Sequence, residues 1–530
     1  MKRSISGVPG HRGSEAEGGL VSASRRSFLV YQGLAGASLL LPSGLTWAQS
    51  DQPRKGGIIR VATHTQSTND TCDPSKAIMV NDYLRMKAFY NGLTWVNDKG
   101  EVVPDLADSF EMQNAGKRWV FKLKKGVQFH DGSSLKPEDV VYSFMRHKTG
   151  PSVASQLAAN IERVSADGDA AVVFDLVQPD VDFPLVVGTF HFAILKDGHN
   201  DFANPIGTGP FKVKEFKPGL RTSGERNPHY FREGLPYLDG FEIIQILDTD
   251  ARVNALLAGD IHLASELRGA AIDQVKNANA AGLLVSPSRR LSAIQYLCDQ
   301  APTDNLELRT ALNCLIDRKR YIDVVLKGYA TIGNDHPFMP GLPYYNDQLP
   351  QRELDRERAK HHFQKSGFGS QRLELNVSDA VPFSVDVAQL MQREAARIGM
   401  NLDVRRNPTD GYWSNVSGKR PAAANTVVPR PTYGMNLNLS WRSNSPLNKS
   451  SLKSARLDEL IDLAAAEADM AKRAELYGEV QRIIYDASAM TMPAFPSYVD
   501  GVSSKVKGLK PMPVGPLGGY DIGNVAWLAD

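Results

Sequence analysis

The sequence predicts a mixed α/β protein of about three domains, and three observations carry that expectation. The chain has 530 residues, more than one hydrophobic core normally supports at roughly 150 residues per domain. With 42% hydrophobic, 23% charged and 8% aromatic residues, its composition is that of a globular chain able to bury a core. Along its length, helical and strand-like periodicities alternate, often with a glycine at the junction.

The first 48 residues read as an export signal. A polar, glycine-containing stretch leads to Ser24-Arg-Arg-Ser-Phe-Leu-Val30, then a weakly apolar run through Leu41, Pro42 and a small-residue site around Ala48. Gln32, Gly33, Gly36 and Ser38 interrupt the run, which falls short of the roughly 20 residues needed to span a bilayer. The paired Arg25-Arg26 before Phe28-Leu29 resembles the twin-arginine signal; the competing reading is a merely basic N-terminus. Gly56-Gly57 then opens a β-branched run, Ile58 to Ala62, expected to be a buried strand. From Arg118 to Lys124, Trp119, Phe121 and Leu123 alternate with Lys122 and Lys124, the pattern of a half-buried strand. Asp248 should cap a helix in which Val253, Leu256 and Leu257 share a face, and Gly259 should stop it. A helix is predicted from Asp304 with Leu308, Leu312 and Leu315 inward, and another with Ala388, Met391, Ala395 and Ile398 inward and Gly399 as terminator. Leu457, Leu460, Ile461 and Ala464 form one later stripe; Leu476, Val480, Ile483 and Ile484 form a second after a break near Asp469.

Several function classes lack their minimal chemistry. The formal charge of +2 is spread without a basic block, so nucleic acid is not an expected partner, and without the signal segment it becomes about −1. Cys72, Cys298 and Cys314 contain no Cys-x-x-Cys spacing; free thiols are expected. No phosphate-cradling, dinucleotide or zincin motif occurs, and no cofactor or metal is expected. Three Ser-x-x-Lys matches and Lys148-Thr149-Gly150 do not build one site, and His361-His362 lies on a helix whose Ala359 and Phe363 look inward.

Three stretches together resemble the family 5 extracellular solute-binding proteins. The first is Trp119 to Val140, with Gly126, His130-Asp131-Gly132 and a helix start at Lys136-Pro137-Glu138-Asp139. The second comprises Gly207-Thr-Gly-Pro-Phe-Lys-Val, Glu225 to Tyr230, Pro236 to Gly240 and Ala251 to Asp260. The third runs from Leu308 through Ile316-Asp-Arg-Lys-Arg320 and Arg397-Ile-Gly-Met-Asn-Leu to Ala471–Tyr477 and Tyr498-Val-Asp500. The resemblance implies a two-lobed periplasmic-binding-protein (Venus flytrap) fold with an additional inserted domain. It also implies a non-enzymatic, monomeric receptor of a peptide-type ABC importer, handing a small organic solute to an inner-membrane permease. It divides the chain into lobe I (residues 56–88, 205–290 and 500–530), an inserted domain (89–204) and lobe II (291–499). Turns at Asn204-Pro205 and Ser286-Pro287 stand where it places crossings, and ordinary strand-end turns explain them equally well. A secreted hydrolase and a nickel or metal-chelate receptor are the rival readings.

The site expectations concern the segment 427–444, where peptide-binding relatives carry an aspartate for the ligand ammonium. No acid occurs there, and the position before Val387 that holds a basic anchor in some relatives reads Phe383-Ser384-Val385-Asp386. A buried ammonium without a carboxylate costs several kcal/mol, so an anionic or neutral peptide-like solute is expected instead. Arg430 and Arg442 are donors suited to a carboxylate or phosphate, against the alternative of surface arginines. Trp413, Tyr433 and Trp441 fit either apolar cleft walls or core, and Asn438, Ser440 and Asn444 either hydrogen-bond a ligand or shape turns. Thr65 and Asn69, just after the opening strand, are expected on the cleft side of the first lobe.

Overall fold

In a computed structural model of the chain, residues 52–97, 100–427 and 429–529 are described. The export-signal expectation lies outside them. Among the described residues no helix is long and apolar enough to cross a membrane.

The opening strand, Ile58–Thr63, becomes the centre of a seven-stranded sheet because its β-branched run pairs on both sides. Val61 is in parallel register with Ile243 on one side and Leu263 on the other. Ile58 itself remains exposed, so the run is buried mainly on one face. Two antiparallel strands, Arg221–Arg226 and Phe211–Lys217, extend one edge; Tyr498–Ser503 and Ala281–Ser286 extend the other. Asp248 caps helix Thr249–Ala258 by accepting the Ala251 N–H at 2.8 Å, and Gly259 ends it in the left-handed conformation.

A five-stranded sheet forms the second lobe. Strand Leu291–Tyr296 runs antiparallel to Ala422–Val427 and Met490–Thr491, and Arg372–Val377 runs parallel to Asn401–Arg406. Helix Ser384–Arg397 packs Val387, Ala388, Met391 and Ala395 into its core. The predicted helix from Asp304 is shorter than its apolar spacing suggested: Asn305 caps it through the Glu307 and Leu308 N–H groups, it spans Leu306–Asn313, and Leu315 is buried beyond its end. Helix Met470–Ala487 starts at the Asp469 cap, but Tyr477, Val480 and Ile484 face inward while Leu476 and Ile483 only flank the core.

A four-stranded antiparallel sheet, formed by Ala107–Gln113, Arg118–Leu123, Ala171–Leu176 and Ile161–Asp167, makes the inserted domain. Alternation sends Trp119, Phe121 and Leu123 inward, where Phe121 meets Phe174 and Phe144 stacks on Phe192. The turn after this strand explains His130. Its Nδ1 accepts the Gly207 N–H at 3.3 Å, so Nε2 carries the proton and donates to the Gly209 carbonyl at 3.0 Å. Burial lowers its pKa to about 4, which keeps that tautomer neutral where the inserted domain meets the first lobe.

Two short segments connect strands of the two lobes. One, Pro287 to Arg290, connects strand Ala281–Ser286 to Leu291–Tyr296; the other, at Ser497, connects Ala494–Pro496 to Tyr498–Ser503. Side chains of the first hold the backbone of the second. The fully buried Ser288 Oγ donates to the Pro496 carbonyl at 2.8 Å, and Arg290 donates to the Pro496 and Ser497 carbonyls at 3.3 and 2.9 Å. All three cysteines are free thiols, and burial pushes Cys72 up to about 12.

Candidate functional site

The loop after strand Ala422–Val427 brings Arg430 to the face of the first lobe. Arg289, in the crossing segment, donates to the Arg430 and Pro431 carbonyls and so fixes that loop. The partly buried Arg430 guanidinium has no carboxylate partner among the described residues. Burial lowers its pKa, and the Tyr83 phenol acts in the opposite sense. Its charge also acts on His191, which burial lowers to about 4. His191 is therefore neutral near pH 7, with Nε2–H donated to the Ala77 carbonyl at 3.1 Å.

Around Arg430 the first lobe and inserted domain assemble an aromatic wall. Tyr83, on helix Val80–Phe89, stacks on Phe190 at 4.0 Å and meets His191 edge-on at 5.8 Å and Tyr520 at 5.5 Å. Tyr498, from the second crossing, carries Arg290 over its ring at 4.3 Å and acts on the Tyr83 and Tyr520 phenols. On the opposite side, Arg289 stands 4.9 Å over Tyr433, which stacks on Phe338 at 4.2 Å and 16°. Rings on both sides, and an Arg430 guanidinium without an acid partner among the described residues, suit a flat or apolar ligand body that carries a negative group.

The acids at the crossings are already committed. Glu266 lies between Arg290 at 3.0 Å and Arg268 at 3.3 Å; burial favours its neutral form, but the charges of Arg290, His64 and Arg268 outweigh it and hold the pKa at about 2. The fully buried Asp500 accepts the Glu266 and Leu517 N–H groups at 2.9 and 2.6 Å, while burial pushes its pKa up to about 7. Among the described residues, no group of three or more His, Cys, Asp and Glu is placed to hold a metal ion. His362 instead bonds Glu307 at 2.5 Å.

Only part of the expected residue set collects at Arg430. Tyr433 lies behind Arg289, its buried hydroxyl facing that guanidinium. Trp441 is corrected to core: it is 0% exposed among Leu457, Leu460 and Ile461. Arg442 pairs with Asp462 and with Asn438 Oδ1, so its charge is satisfied within its own lobe. Asn438 Nδ2 donates to the Gly434 carbonyl, Ser440 ends helix Tyr433–Ser440, and Asn444 is exposed beyond it. Trp413 is 47% exposed and leans on Tyr412. Thr65 Oγ1 donates to Asn81 at 3.1 Å, and Asn69 belongs to a turn around Ser67, so both serve local structure. Sequence reasoning missed Tyr83, Phe190, Tyr498, Tyr520 and Arg289; of these only Tyr498 stood in a stretch resembling the family, and none had a local pattern that separated it from core.

Residues 101–449 match the family model described as "Bacterial extracellular solute-binding proteins, family 5 Middle". The chain belongs to this family. It is accordingly a solute-binding protein and not an enzyme. Among its relatives, the probable di/tripeptide-binding protein 5 of Pseudomonas aeruginosa is 27% identical over 81% of this chain and 88% of the relative. The dipeptide-binding protein of Escherichia coli is 24% identical over 84% and 88%. Among solved structures, the ABC transporter substrate-binding protein CtaP of Listeria monocytogenes superposes with a TM-score of 0.79 at 25% identity, over 90% of this chain and 100% of the other. The periplasmic binding protein DppA of Helicobacter pylori, solved with a peptide, gives 0.78 at 22%, over 90% and 99%. The solute-binding protein thus has the two-lobed fold of these neighbours.

Proposed function

We propose that this protein is the periplasmic receptor of a peptide-type ABC importer, that its ligand is a peptide or peptide-like small organic solute, and that Arg430 receives an anionic group of that ligand. It delivers the solute to an inner-membrane permease and acts as a monomer. One observation carries the charge assignment: the partly buried Arg430 lies near Tyr83 and His191 with no carboxylate partner among the described residues. Relatives named for dipeptides, tripeptides and glutathione, and a neighbour solved with agropinic acid, support a peptide-like or acidic organic ligand. The lobes divide as lobe I at 56–88, 205–290 and 500–530, an inserted domain at 89–204 and lobe II at 291–499, with the second crossing centred on Ser497.

Mass spectrometry of the solute released by denaturing natively purified protein, followed by calorimetry with that solute, tests the reading. An acidic or acid-bearing peptide-like compound is expected. A cationic solute, or tight binding of an unmodified dipeptide with its ammonium at residues 429–444, would overturn the charge assignment and leave the receptor function standing. Export is proposed to follow the twin-arginine route: replacing Arg25 and Arg26 by lysine should leave the protein inside the cell, and normal periplasmic yield would count against that route.

A further inference from the structure

We propose that Asp182 and Arg473 form a latch between the inserted domain and the second lobe that holds the receptor closed without any ligand. Arg473 belongs to helix Met470–Ala487, Asp182 to the loop before helix Phe183–Val187, and the chain between them passes through both lobes. The contact is two-pronged: Arg473 Nη1 donates to Asp182 Oδ1 at 2.9 Å and Nη2 donates to Oδ2. Arg473 is 5% exposed.

Its surroundings distinguish this pair from the surface ion pairs of the molecule. The second lobe prepares the cation in advance, because Tyr344 and Tyr477 flank the guanidinium at 5.4 and 5.5 Å. The same lobe supplies no carboxylate to it: among the described residues Arg473 has its only ion pair across the gap, whereas Arg442 finds Asp462 within its own lobe. Asp182 is positioned in turn by its own loop, its N–H donating to Asp180 Oδ1 at 2.9 Å. Beside the pair, the Val181 N–H donates to the Ala465 carbonyl at 3.1 Å, and Leu439 of the second lobe is buried in the inserted domain's hydrophobic core, with Met435 against it. A charge pair, a backbone hydrogen bond and an apolar plug therefore meet at one place, beside the Tyr433 side of the Arg430 group, where Tyr477 meets Tyr433 edge-on at 6.2 Å.

Rotation of one lobe about the two crossing segments has to separate these contacts. Parting would break the two-pronged pair, and in the joined arrangement that pair is shielded from water, so it favours closure. Closure maintained by the protein's own contacts raises the fraction of binding-competent receptor whatever the solute, and apparent affinity scales with that fraction. The latch rests only on hinge closure of a two-lobed receptor, so it stands or falls separately from the charge assigned to the ligand.

The test uses ligand-free full-length mature protein with Cys298→Ser and fluorophores on Glu111→Cys and Glu357→Cys, exposed positions of the inserted domain and second lobe. Single-molecule energy transfer should show one predominant short-distance population. Asp182→Asn should shift most molecules to a longer distance, and Arg473→Gln should do the same, both with native circular dichroism. Arg442→Gln, which breaks a pair internal to the second lobe, should leave the distribution as in the unmodified latch. A ligand-free protein already at the long distance, latch variants that stay at the short one, or an equal shift from Arg442→Gln would each overturn the proposal.

Discussion

Two arginines of one segment, Arg430 and Arg442, meet opposite fates. Arg442 is neutralised by Asp462 and hydrogen-bonded to Asn438, while Arg430 lies by the Tyr83 ring with no acid partner among the described residues. A charge-assisted hydrogen bond contributes about 1.5–3 kcal/mol, so Arg430→Ala should weaken binding of the recovered anionic solute about ten- to a hundredfold. Arg442→Ala should change that affinity little, and calorimetry on both variants checks the contrast; equal, wild-type affinity in the two would remove Arg430 from the site. Trp441 makes a separate prediction, because a fully buried indole packed on Leu457 and Leu460 is core. Trp441→Ala should cost about 3–5 kcal/mol in denaturant unfolding without changing ligand selectivity. The residue types were readable from the chain, but their partners were not: Asp462 and Tyr83 reach their arginines only through folding.

At the scale of elements, glycine stops, Asx caps and apolar spacing were largely legible because they act within one or two turns of chain. Asp248, Gly259 and the stripe through Leu457, Leu460, Ile461 and Ala464 behave as their local pattern requires. The helix expected from Asp304 ends earlier, since Leu315 reaches the core from beyond it and helical spacing alone cannot tell the two cases apart. The family stretch around His130 acquires its physical reason only in the fold, where the imidazole joins two segments by accepting from Gly207 and donating to Gly209. Its folded pKa of about 4 lies below the ordinary 6.5, so the unfolded chain takes up the proton first. Its stabilisation is complete above pH about 6.5 and is lost as pH falls from there toward 4, by up to about 3 kcal/mol. Unfolding free energies measured from pH 7 to 4.5 should fall less steeply in His130→Gln than in wild type. A His130 midpoint near 6.5 by NMR would contradict this account.

For the whole molecule, the two proposals make closure depend on two kinds of contact, a solute bridging the Arg430 group and the Asp182–Arg473 pair joining lobe to inserted domain. With the pair intact, the recovered solute should change the radius of gyration little, because the unliganded protein is already closed. In Asp182→Asn the unliganded receptor should be larger, and saturation with the same solute should bring it back to the wild-type dimension. Small-angle scattering reads both. Unchanged dimensions for the variant at all solute concentrations, or a marked compaction of the wild type, would show that ligand contacts alone govern closure.

What the sequence determined by itself was the α/β class, most of the local elements, the family and the binding function, because these depend on short-range periodicity, caps and turns and on motifs preserved as contiguous text. It also marked residues 427–444 as a segment without the acid expected for an ammonium. Only the tertiary structure decided which residues of that segment face the first lobe, that Trp441 is core, and that Tyr83, Phe190, Tyr498 and Tyr520 stand around Arg430. The physical reason is sequence distance: a cleft between lobes is assembled from side chains hundreds of positions apart, and burial, charge pairing and ring stacking exist only once the crossing segments have brought them together.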